Sequence, residues 1–306
     1  MLFYHFYLVS AKTKSLFDMT NKQDNIAIII ILFNPKREDV DNIKRLSIRY
    51  EGVIVDNSCP AIFNEDKVNR MYYIAMKDNV GIAKAQNIGI QKALQNNDID
   101  YLVFMDQDST MSDSYPTDIV AEFKNISSSV PNLAFLGPRI NNKETGKEYK
   151  SIIHKDKKTT AQFIPRREVI SSGGCTTREI MSVVGYNDES LFIDFVDFEW
   201  CWRARSKNYV CGISSNIIIN HKVGRKTLSI GGFFIIISAP FRYYYQFRNH
   251  LWLIRKKYVP LQWKINIGIK HLARLLYFPL FIESGIECWK YMIKGIAAGL
   301  KRHETF

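Results

Sequence analysis

The feature that most constrains the fold is a run of eight apolar residues, IAIIIILF, at positions 26–33. Because no polar residue alternates with the apolar ones, the run is typical of a strand that is buried on both faces, as in a parallel sheet. Asn34 and Pro35 end the run, and apolar residues at helical spacing over Lys36–Ile48 predict a helix directly after it. A second strand is predicted at Gly52–Val55.

The same cycle repeats along the chain. Further strands are predicted at Tyr72–Met76 and Tyr101–Met105, with a helix over Gly81–Gln95 between them. Strands that alternate with helices predict an α/β fold with a mostly parallel sheet. A polar, lysine-rich stretch at 141–167 predicts a surface hairpin or a mobile loop. Beyond it we expect a glycine-centred turn at Ser171–Cys175 and helices at Thr177–Val184 and Val196–Ser206.

Polar residues follow four of the predicted strands at the point where each strand ends. They are Asn34, Asp56, Asn79 and the segment Asp106–Asp108. In open α/β sheets ligands bind in the crevice outside the carboxyl ends of the strands. The sequence therefore predicts that these side chains converge on one site.

Two carboxylates after the fourth strand form the strongest local signal for chemistry. Asp106 and Asp108 flank Gln107 directly after the apolar run YLVFM. Carboxylates two residues apart at a strand end are able to reach one divalent cation, and oxygen ligands suit Mg²⁺ or Mn²⁺. On its own such a pair is also typical of a solvated acidic turn, so the prediction depends on the rest of the site.

A second acidic cluster lies among large apolar residues, in the stretch LFIDFVDFEWCWR at positions 191–203. Burying carboxylates among aromatic rings is unfavourable unless they are paired or have a task. Asp197, at the expected start of a helix, is the predicted general base, with a plain helix cap as the alternative. Glu199 is predicted either to take part in catalysis or to form a structural ion pair with Arg203.

The positive charge of the chain is confined to its C-terminal region. The 306 residues carry 42 Lys and Arg against 30 Asp and Glu, yet residues 1–220 hold 27 of each sign and residues 221–306 hold 15 and 3. Residues 240–306 interleave the cations with aromatic residues, as in an amphipathic helix on an anionic membrane surface. The alternative is a set of helices packed on the core with a basic outer face. Nucleic acid is disfavoured because no nucleic-acid module is recognisable.

Three further features bear on the compartment. The five cysteines show no metal-binding spacing and are odd in number, which favours a reducing cytoplasm. No apolar window reaches the length that crossing a bilayer requires. Residues 1–24 are expected to form an N-terminal extension, either an over-long start ahead of Met19 or an interfacial anchor, and not a signal peptide.

Several motifs occur in an order that resembles a known family. They are NP at 34–35, VDNS at 55–58, NVGIAKAQNIG at 79–89, DQDS at 106–109, GPR at 137–139, SGG at 172–174, FIDFVDFEWCWRA at 192–204 and NHKVG at 220–224. Together they resemble the inverting family 2 glycosyltransferases of the GT-A fold, and within these the bacterial rhamnosyltransferases. The family's second acidic motif usually reads Glu-Asp; here Val196-Asp197 stands in its place, as is common in the rhamnosyltransferase subgroup.

The resemblance implies how a nucleotide-sugar donor would be held. Gly81 would let the backbone approach closely, and Lys84 would meet a phosphate. A divalent metal, Mg²⁺ or Mn²⁺, would be held by Asp106, Asp108 and His221. The donor-binding residues implied in this way are Asn34, Asp56, Asn79, Gly81, Lys84, Asn87, Asp106 and Gln107.

The resemblance also implies the reaction and the residues that carry it. Asp197 would take the proton of an acceptor hydroxyl as that hydroxyl attacks the anomeric carbon, inverting its configuration, and Glu199 would support it. Asp194 is the less favoured alternative base. On the acceptor side the implied residues are Gly173, Gly174, Asp194 and Trp200.

The expected protein is an α/β GT-A glycosyltransferase domain at 25–230 followed by a C-terminal helical, basic and aromatic region at 231–306. The implied activity is transfer of L-rhamnose from dTDP-L-rhamnose to a saccharide or lipid-linked saccharide in the synthesis of a bacterial cell-surface polysaccharide, such as capsule or O-antigen. The alternatives are another nucleotide sugar of the UDP-hexose type, a nucleotidyltransferase, or a non-catalytic adaptor. The expected location is the cytoplasm, peripheral on the inner face of the plasma membrane, with homo-oligomerisation left open.

Overall fold

The computed structural model describes residues 25–109, 111–142, 162–221, 226–230 and 233–301. Its strands are β1 (Ile26–Leu32), β2 (Glu51–Asp56), β3 (Lys67–Val68), β4 (Met71–Ala75), β5 (Tyr101–Asp106), β6 (Leu133–Asn142), β7 (Phe163–Arg166), β8 (Cys175–Thr177), β9 (Val210–His221), β10 (Lys226–Ile230) and β11 (Phe233–Ile237). Nine of them form one sheet in the order β3-β4-β2-β1-β5-β8-β6-β9-β7, and β10 pairs with β11. The predicted stretch 141–167 lies largely outside the described residues.

The helices alternate with the strands in the first half of the chain and follow them in the second. They are α1 (Arg37–Arg49), α2 (Ile82–Ala93), α3 (Tyr115–Ser129), α4 (Arg178–Val184), α5 (Val196–Ser206), α6 (Pro240–Leu253), α7 (Leu261–Phe281) and α8 (Gly285–Leu300). The predicted strands and helices are confirmed to within a few residues. The structure adds α3 and the strands β3, β6 and β8–β11, which the sequence pattern did not predict; β11 lies within the region 231–306 that was expected to be helical.

Both faces of the sheet are covered, as the apolar run at 26–33 predicted. Ile26, Ile28 and Ile30 of β1 belong to one buried cluster, which includes residues of α1 and α3. Ala27 and Ile29 belong to a second cluster, which includes residues of α2, α4 and α5. Because successive side chains of a strand point to opposite faces, an all-apolar strand requires a helical layer on each side.

The sheet is mixed. β1 pairs in parallel with β2 and β5, and β2 with β4, which is the predicted series. β8 is inserted between β5 and β6 and runs antiparallel to both. The result is the α/β arrangement with C-terminal helices that the resemblance implied.

The C-terminal helices do not form a separate layer. Leu253, Val259 and Trp263, from α6 to the start of α7, share one buried cluster with Val196 and Trp202 of α5. A further cluster joins α6 to α7 and α8. Within the described ranges, none of the helices has the length and apolar character needed to cross a bilayer.

Candidate active site

The crevice lies where β1, β2 and β5 end at one edge of the sheet. In the parallel register Leu32 stands opposite Asp56, and Ile31 stands opposite Asp106. Asp106 is partly exposed and Asp108, in the turn that follows, is exposed. The two carboxylates of the acidic pair therefore lie at the solvent-accessible end of the sheet, where the sequence predicted them.

Asp197 lies in the first turn of α5, near enough to Asp106 for the two carboxylates to interact electrostatically. Its Oδ2 accepts a hydrogen bond from the backbone N–H of Ser171 at 3.3 Å, and its Oδ1 accepts one from the N–H of Phe198 at 3.0 Å. Burial raises the pKa of Asp197 to about 6; the negative charge of Asp106 acts in the same direction, and the two N–H donors oppose it. A carboxyl group with a pKa near neutrality beside a second carboxylate is suited to accept a proton in catalysis.

A strained turn delivers Asp197 to this position. Phe192, Asp194 and Phe195 all have positive φ values, of 63°, 67° and 67°. Residues with side chains adopt such conformations only where their surroundings impose them. The turn therefore needs support from elsewhere in the chain.

Three polar residues of α6 supply that support, and the sequence analysis missed all of them. The buried carboxamide of Asn249 donates to the carbonyls of Leu191, Ile193 and Asp194 at 2.9, 2.9 and 3.1 Å. Arg248 donates to the carbonyls of Ser190 and Leu191, and Arg242 pairs with Asp194 through two hydrogen bonds. The sequence does contain a signal for this role, the adjacent polar residues Arg248 and Asn249 within an aromatic helix. If such side chains are buried, they require hydrogen-bond partners elsewhere in the chain.

A small cavity of about 30 Å³ lies against Asp197 and is lined by Gln86, Ser171 and several apolar side chains. Its polar wall is held by a chain of hydrogen bonds, in which Asn187 donates to Gln86 and Gln86 donates to the hydroxyl of Ser171. The volume is sufficient for a water molecule. Gln86 thus orders the segment whose backbone N–H contacts the carboxylate of Asp197.

Two predicted donor-binding residues are instead engaged inside the protein. The Asp56 side chain is fully buried; its Oδ1 accepts from the N–H of Ser58 and its Oδ2 accepts from the Ile62 N–H and the Tyr73 hydroxyl. Gln107 bonds with both the N–H and the carbonyl of Phe33. In this structure Asp56 orders the loop after β2 and Gln107 joins the end of β1 to the end of β5; the contact of either residue with a donor stays a prediction.

The segment around the start of α2 is divided between the surface and the interior. Gly81 has a φ of +81°, and a Cβ atom there would lie 2.6 Å from the Phe192 ring, so the backbone of Gly81 closely approaches the strained turn. Asn87 is buried and bonds with Asn187 and Glu189. The roles of both residues in the donor site stay predictions.

Three predicted donor contacts lie at the surface. Asn34, Asn79 and Lys84 are exposed. The side chain of Asn79 accepts from the N–H of Gly81 at 3.0 Å, which shapes the turn before α2. The structure leaves all three accessible, and their contact with a donor stays a prediction.

The residues expected on the acceptor side are mostly packing residues. A Cβ atom at Gly174 would lie 2.2 Å from the Phe135 ring, and one at Gly173 would lie 2.7 Å from the Tyr115 hydroxyl. Trp200 is buried against Phe135 and donates to the carbonyl of Gly185. All three residues pack within the protein in this structure, and their contact with an acceptor stays a prediction.

Two acids of the second cluster are paired. The side chain of Asp194 is 10% exposed and bonds with Arg242, which supports the turn, and the acceptor-binding role expected of Asp194 stays a prediction. The side chain of Glu199 is 1% exposed and lies 2.9 Å from Arg203, and its Oε1 accepts from the Tyr258 hydroxyl at 2.5 Å. The structural ion pair, the alternative considered for Glu199, is confirmed.

The side chains expected to bind a metal ion lie only partly within the described residues. Among the side chains that the structure describes, no group of three or more His, Cys, Asp or Glu is placed to hold a metal ion. The backbone of His221 pairs with Asn142 at the end of β9, and its side chain lies outside the described residues. Mg²⁺ is commonly bound through one or two carboxylates together with water and substrate phosphate, a mode that Asp106 and Asp108 fit.

Comparison with known proteins identifies the family. The model of glycosyl transferase family 2 matches residues 14–183, more than half of the chain. The dTDP-rhamnosyl transferase RfbF of Shigella flexneri is 31% identical over 287 residues, which are 90% of this chain and 94% of that protein. The low-salt glycan biosynthesis hexosyltransferase Agl10 of Haloferax volcanii is 25% identical over 209 residues, 62% of this chain and 64% of that protein.

Among solved structures, that of S. aureus TarS 1-349 in complex with UDP-GlcNAc is similar, with a TM-score of 0.49 and 13% identity over 90% of this chain and 81% of that one. The match of the family model and the identity with the Shigella protein are sufficient for assignment. The chain belongs to glycosyl transferase family 2.

Proposed function

We propose that this glycosyltransferase transfers L-rhamnose from dTDP-L-rhamnose, with inversion, to a saccharide or lipid-linked saccharide that is used in glycan assembly. The identity to a dTDP-rhamnosyl transferase along 90% of the chain supports the donor. The observation that carries the chemistry is the placement of Asp197 in the first turn of α5, where the N–H groups of Ser171 and Phe198 hold its carboxylate and burial raises its pKa. The family assignment decides against a nucleotidyltransferase and against a non-catalytic adaptor.

Asp197 serves as the general base. One carboxylate oxygen accepts the proton of the acceptor hydroxyl while the hydroxyl oxygen forms a bond to the anomeric carbon. The bond from that carbon to the diphosphate oxygen breaks on the opposite side, so the nucleoside diphosphate leaves with the bonding electrons. The N–H groups of Ser171 and Phe198 hold the carboxylate in place during this step.

Asp106 and Asp108 would hold a divalent cation, Mg²⁺ or Mn²⁺, at the open end of β5. A bound cation supplies charge neutralisation of the departing diphosphate. We therefore expect transfer to stop in EDTA and to return when Mg²⁺ or Mn²⁺ is added in excess. Donor binding, measured by thermal shift, should also weaken in EDTA.

The donor is tested by thermal shift of the purified protein with a panel of nucleotide sugars and a divalent metal. We expect dTDP-rhamnose to raise the melting temperature more than UDP-glucose, UDP-GlcNAc or free dTDP. A larger shift with a UDP-hexose would assign the donor to that alternative and leave the glycosyltransferase chemistry intact.

The base is tested by Asp197→Asn, with Asp98→Asn as the matched control because Asp98 is exposed and lies outside the predicted site. We expect Asp197→Asn to lower kcat at least 10³-fold while the thermal shift with dTDP-rhamnose is retained. Asp98→Asn should leave both unchanged. Transfer at the wild-type rate by Asp197→Asn would remove Asp197 from the mechanism.

A further inference from the structure

Helices α7 and α8 carry an outer face of large apolar side chains that nothing among the described residues covers. On α7 the residues recur at intervals of three and four, and each is more than half exposed: Leu261, Ile265, Ile269, Leu272, Leu276 and Leu280. On α8 the exposed residues are Ile286, Trp289, Ile293 and Leu300. We call these ten residues the outer face. Rows of exposed large apolar side chains are typical of an interaction site in a folded protein.

The opposite sides of both helices pack on α6, which defines the direction of the outer face. His271 of α7 stacks on Phe247 of α6 with ring centroids 4.0 Å apart, and Phe278 contacts Tyr243 at 5.1 Å. Gly295 of α8 meets the backbone of α6, since a Cβ atom there would lie 2.4 Å from the Tyr244 carbonyl oxygen. Residues spaced half a helical turn from these contacts point away from α6. Both apolar rows are therefore turned outward.

Lysines border the outer face. Lys290, Lys294 and Lys301 follow one another at helical spacing beside the apolar row of α8, and Lys270 lies beside that of α7; all four are exposed. Residues 261–301 contain only two acids, Glu283 and Glu287. An apolar row bordered by lysines is the pattern of a helix that lies in the interface of an anionic bilayer, where the lysine ammonium groups reach the headgroups.

The membrane contact expected of residues 240–306 can therefore be assigned to particular helices. Several of the aromatic and basic residues of α6 that suggested it are interior: Tyr243 is 0% exposed, Phe247 3% and Arg248 9%. Helix α6 is mainly a core element, and most of the exposed apolar residues of the C-terminal helices belong to α7 and α8.

We propose that the outer face of α7 and α8 binds the surface of an anionic lipid bilayer. A second copy of the chain would bring like-charged lysine rows close together, and the two acids are too few to pair with them. Anionic headgroups neutralise the lysines while the apolar rows enter the acyl boundary. The outer face shares no residue with the crevice of Asp106 and Asp197, so the proposal does not depend on the identity of the donor.

The test is flotation of the purified full-length protein with vesicles of phosphatidylcholine alone or with about 30% phosphatidylglycerol. We expect the protein to float with the anionic vesicles, and Leu272→Gln/Leu276→Gln to reduce binding at least tenfold. Ile48→Gln is the matched control, because Ile48 is 64% exposed on α1 and lies outside the outer face. It should float like the wild type.

The charge is tested by Lys290→Gln/Lys294→Gln, with the exposed pair Lys36→Gln/Lys77→Gln as control. Each lysine near an anionic surface contributes about a fivefold factor, so the first pair should bind about 25-fold more weakly at low salt and the control pair should be unaffected. The difference should shrink in about 0.5 M NaCl.

Three outcomes would overturn the proposal. They are flotation that does not exceed the vesicle-free background, equal flotation of the Leu272→Gln/Leu276→Gln variant and the wild type, and a lipid-free dimer in sedimentation that this variant dissociates. The last outcome would assign the outer face to a second copy. All variants should retain the dTDP-rhamnose thermal shift, so failure of lipid binding is separable from failure of the proposed activity.

Discussion

Asp197 and Glu199 lie two residues apart in one helix, yet their environments differ. The Asp197 carboxylate receives two backbone N–H donors and lies near enough to Asp106 to interact with it electrostatically. The Glu199 carboxylate is closed in by Arg203 and Tyr258. A buried acid paired with a cation holds structure, whereas a buried acid without a cation partner has a raised pKa and is available for proton transfer. The sequence identified both acids, but only packing distinguishes them.

The raised pKa of Asp197 predicts the pH dependence of transfer. A base must be ionised to accept a proton, so kcat/KM should fall as the pH falls through about 6, the folded-state pKa of Asp197. The measurement is a kcat/KM profile from about pH 5 to 8.5 at saturating metal. A profile that is flat down to the lowest pH would contradict the assignment of Asp197 as the base.

The same shift predicts an effect on stability. Because the folded pKa lies above the unfolded value of 3.8, ionised Asp197 lowers the free energy of unfolding above about pH 6, and this cost disappears below about pH 4. Asp197→Asn should therefore be more stable than the wild type by about 3 kcal/mol at about pH 8. Urea unfolding at both pH values measures the difference, which should vanish at the lower pH.

Glu199→Gln should destabilise the protein and leave the chemistry largely intact. The substitution leaves Arg203, whose side chain is 19% exposed, without its charge partner, at a cost of about 3 kcal/mol in the free energy of unfolding. Glu51→Gln is the matched control, since Glu51 pairs with Arg70 at the surface and should cost less than about 1 kcal/mol. A 10³-fold loss of kcat in folded Glu199→Gln protein would restore a catalytic role for Glu199.

At the scale of elements, the strands and helices with a clear apolar period were predictable. α1 separates β1 from β2 and α2 separates β4 from β5, so the parallel orientation of these strands follows from the pattern. The insertion of β8 between β5 and β6 was not predictable, because a three-residue strand has no measurable period.

The sequence also could not predict which of the acids at the strand ends is accessible to a ligand. Asp56 and Asp106 each end a parallel strand and look equivalent in the printed chain. The Tyr73 hydroxyl and the loop at 58–62 enclose Asp56, whereas Asp106 stays partly open. Contacts between residues distant in sequence decide which carboxylate is available to a ligand.

The turn before α5 depends on α6, which leads to a prediction for Asn249. Removing its carboxamide leaves the carbonyls of Leu191, Ile193 and Asp194 without that donor, at a cost of about 2 to 3 kcal/mol in the free energy of unfolding. Asn249→Ala should also lower kcat between tenfold and about 100-fold, because Asp197 is then held less accurately.

The control for Asn249→Ala is Asn132→Ala, which removes a similar side-chain bond to the carbonyl of Asn208 at the surface. It should change stability slightly and kcat not at all. An Asn249→Ala enzyme that is destabilised but has wild-type kcat would show that Asn249 supports the fold without positioning the base.

At the scale of the whole molecule, the split of charge between residues 1–220 and residues 221–306 suggested a catalytic domain with an appendage. In the structure the C-terminal helices both support the active site and form an exposed basic surface. Helix α6 completes the active-site turn from the inside, while α7 and α8 present the basic, apolar outer surface. Charge composition does not separate these two roles, because a buried arginine such as Arg248 counts the same as an exposed lysine.

Removal of residues 240–306 should therefore prevent folding and not merely release a membrane anchor. Leu253, Val259 and Trp263 are nearly fully buried against Val196 and Trp202, and each contributes about 1.5 to 3 kcal/mol on burial. Their combined loss is comparable with the total stability of a typical domain, about 5 to 15 kcal/mol. We expect the chain 1–239 to be aggregated or unfolded by circular dichroism and to show no dTDP-rhamnose thermal shift. A chain shortened only to residue 301 should behave like the full-length protein, whereas a monomeric, donor-binding 1–239 chain would establish the C-terminal helices as an independent module.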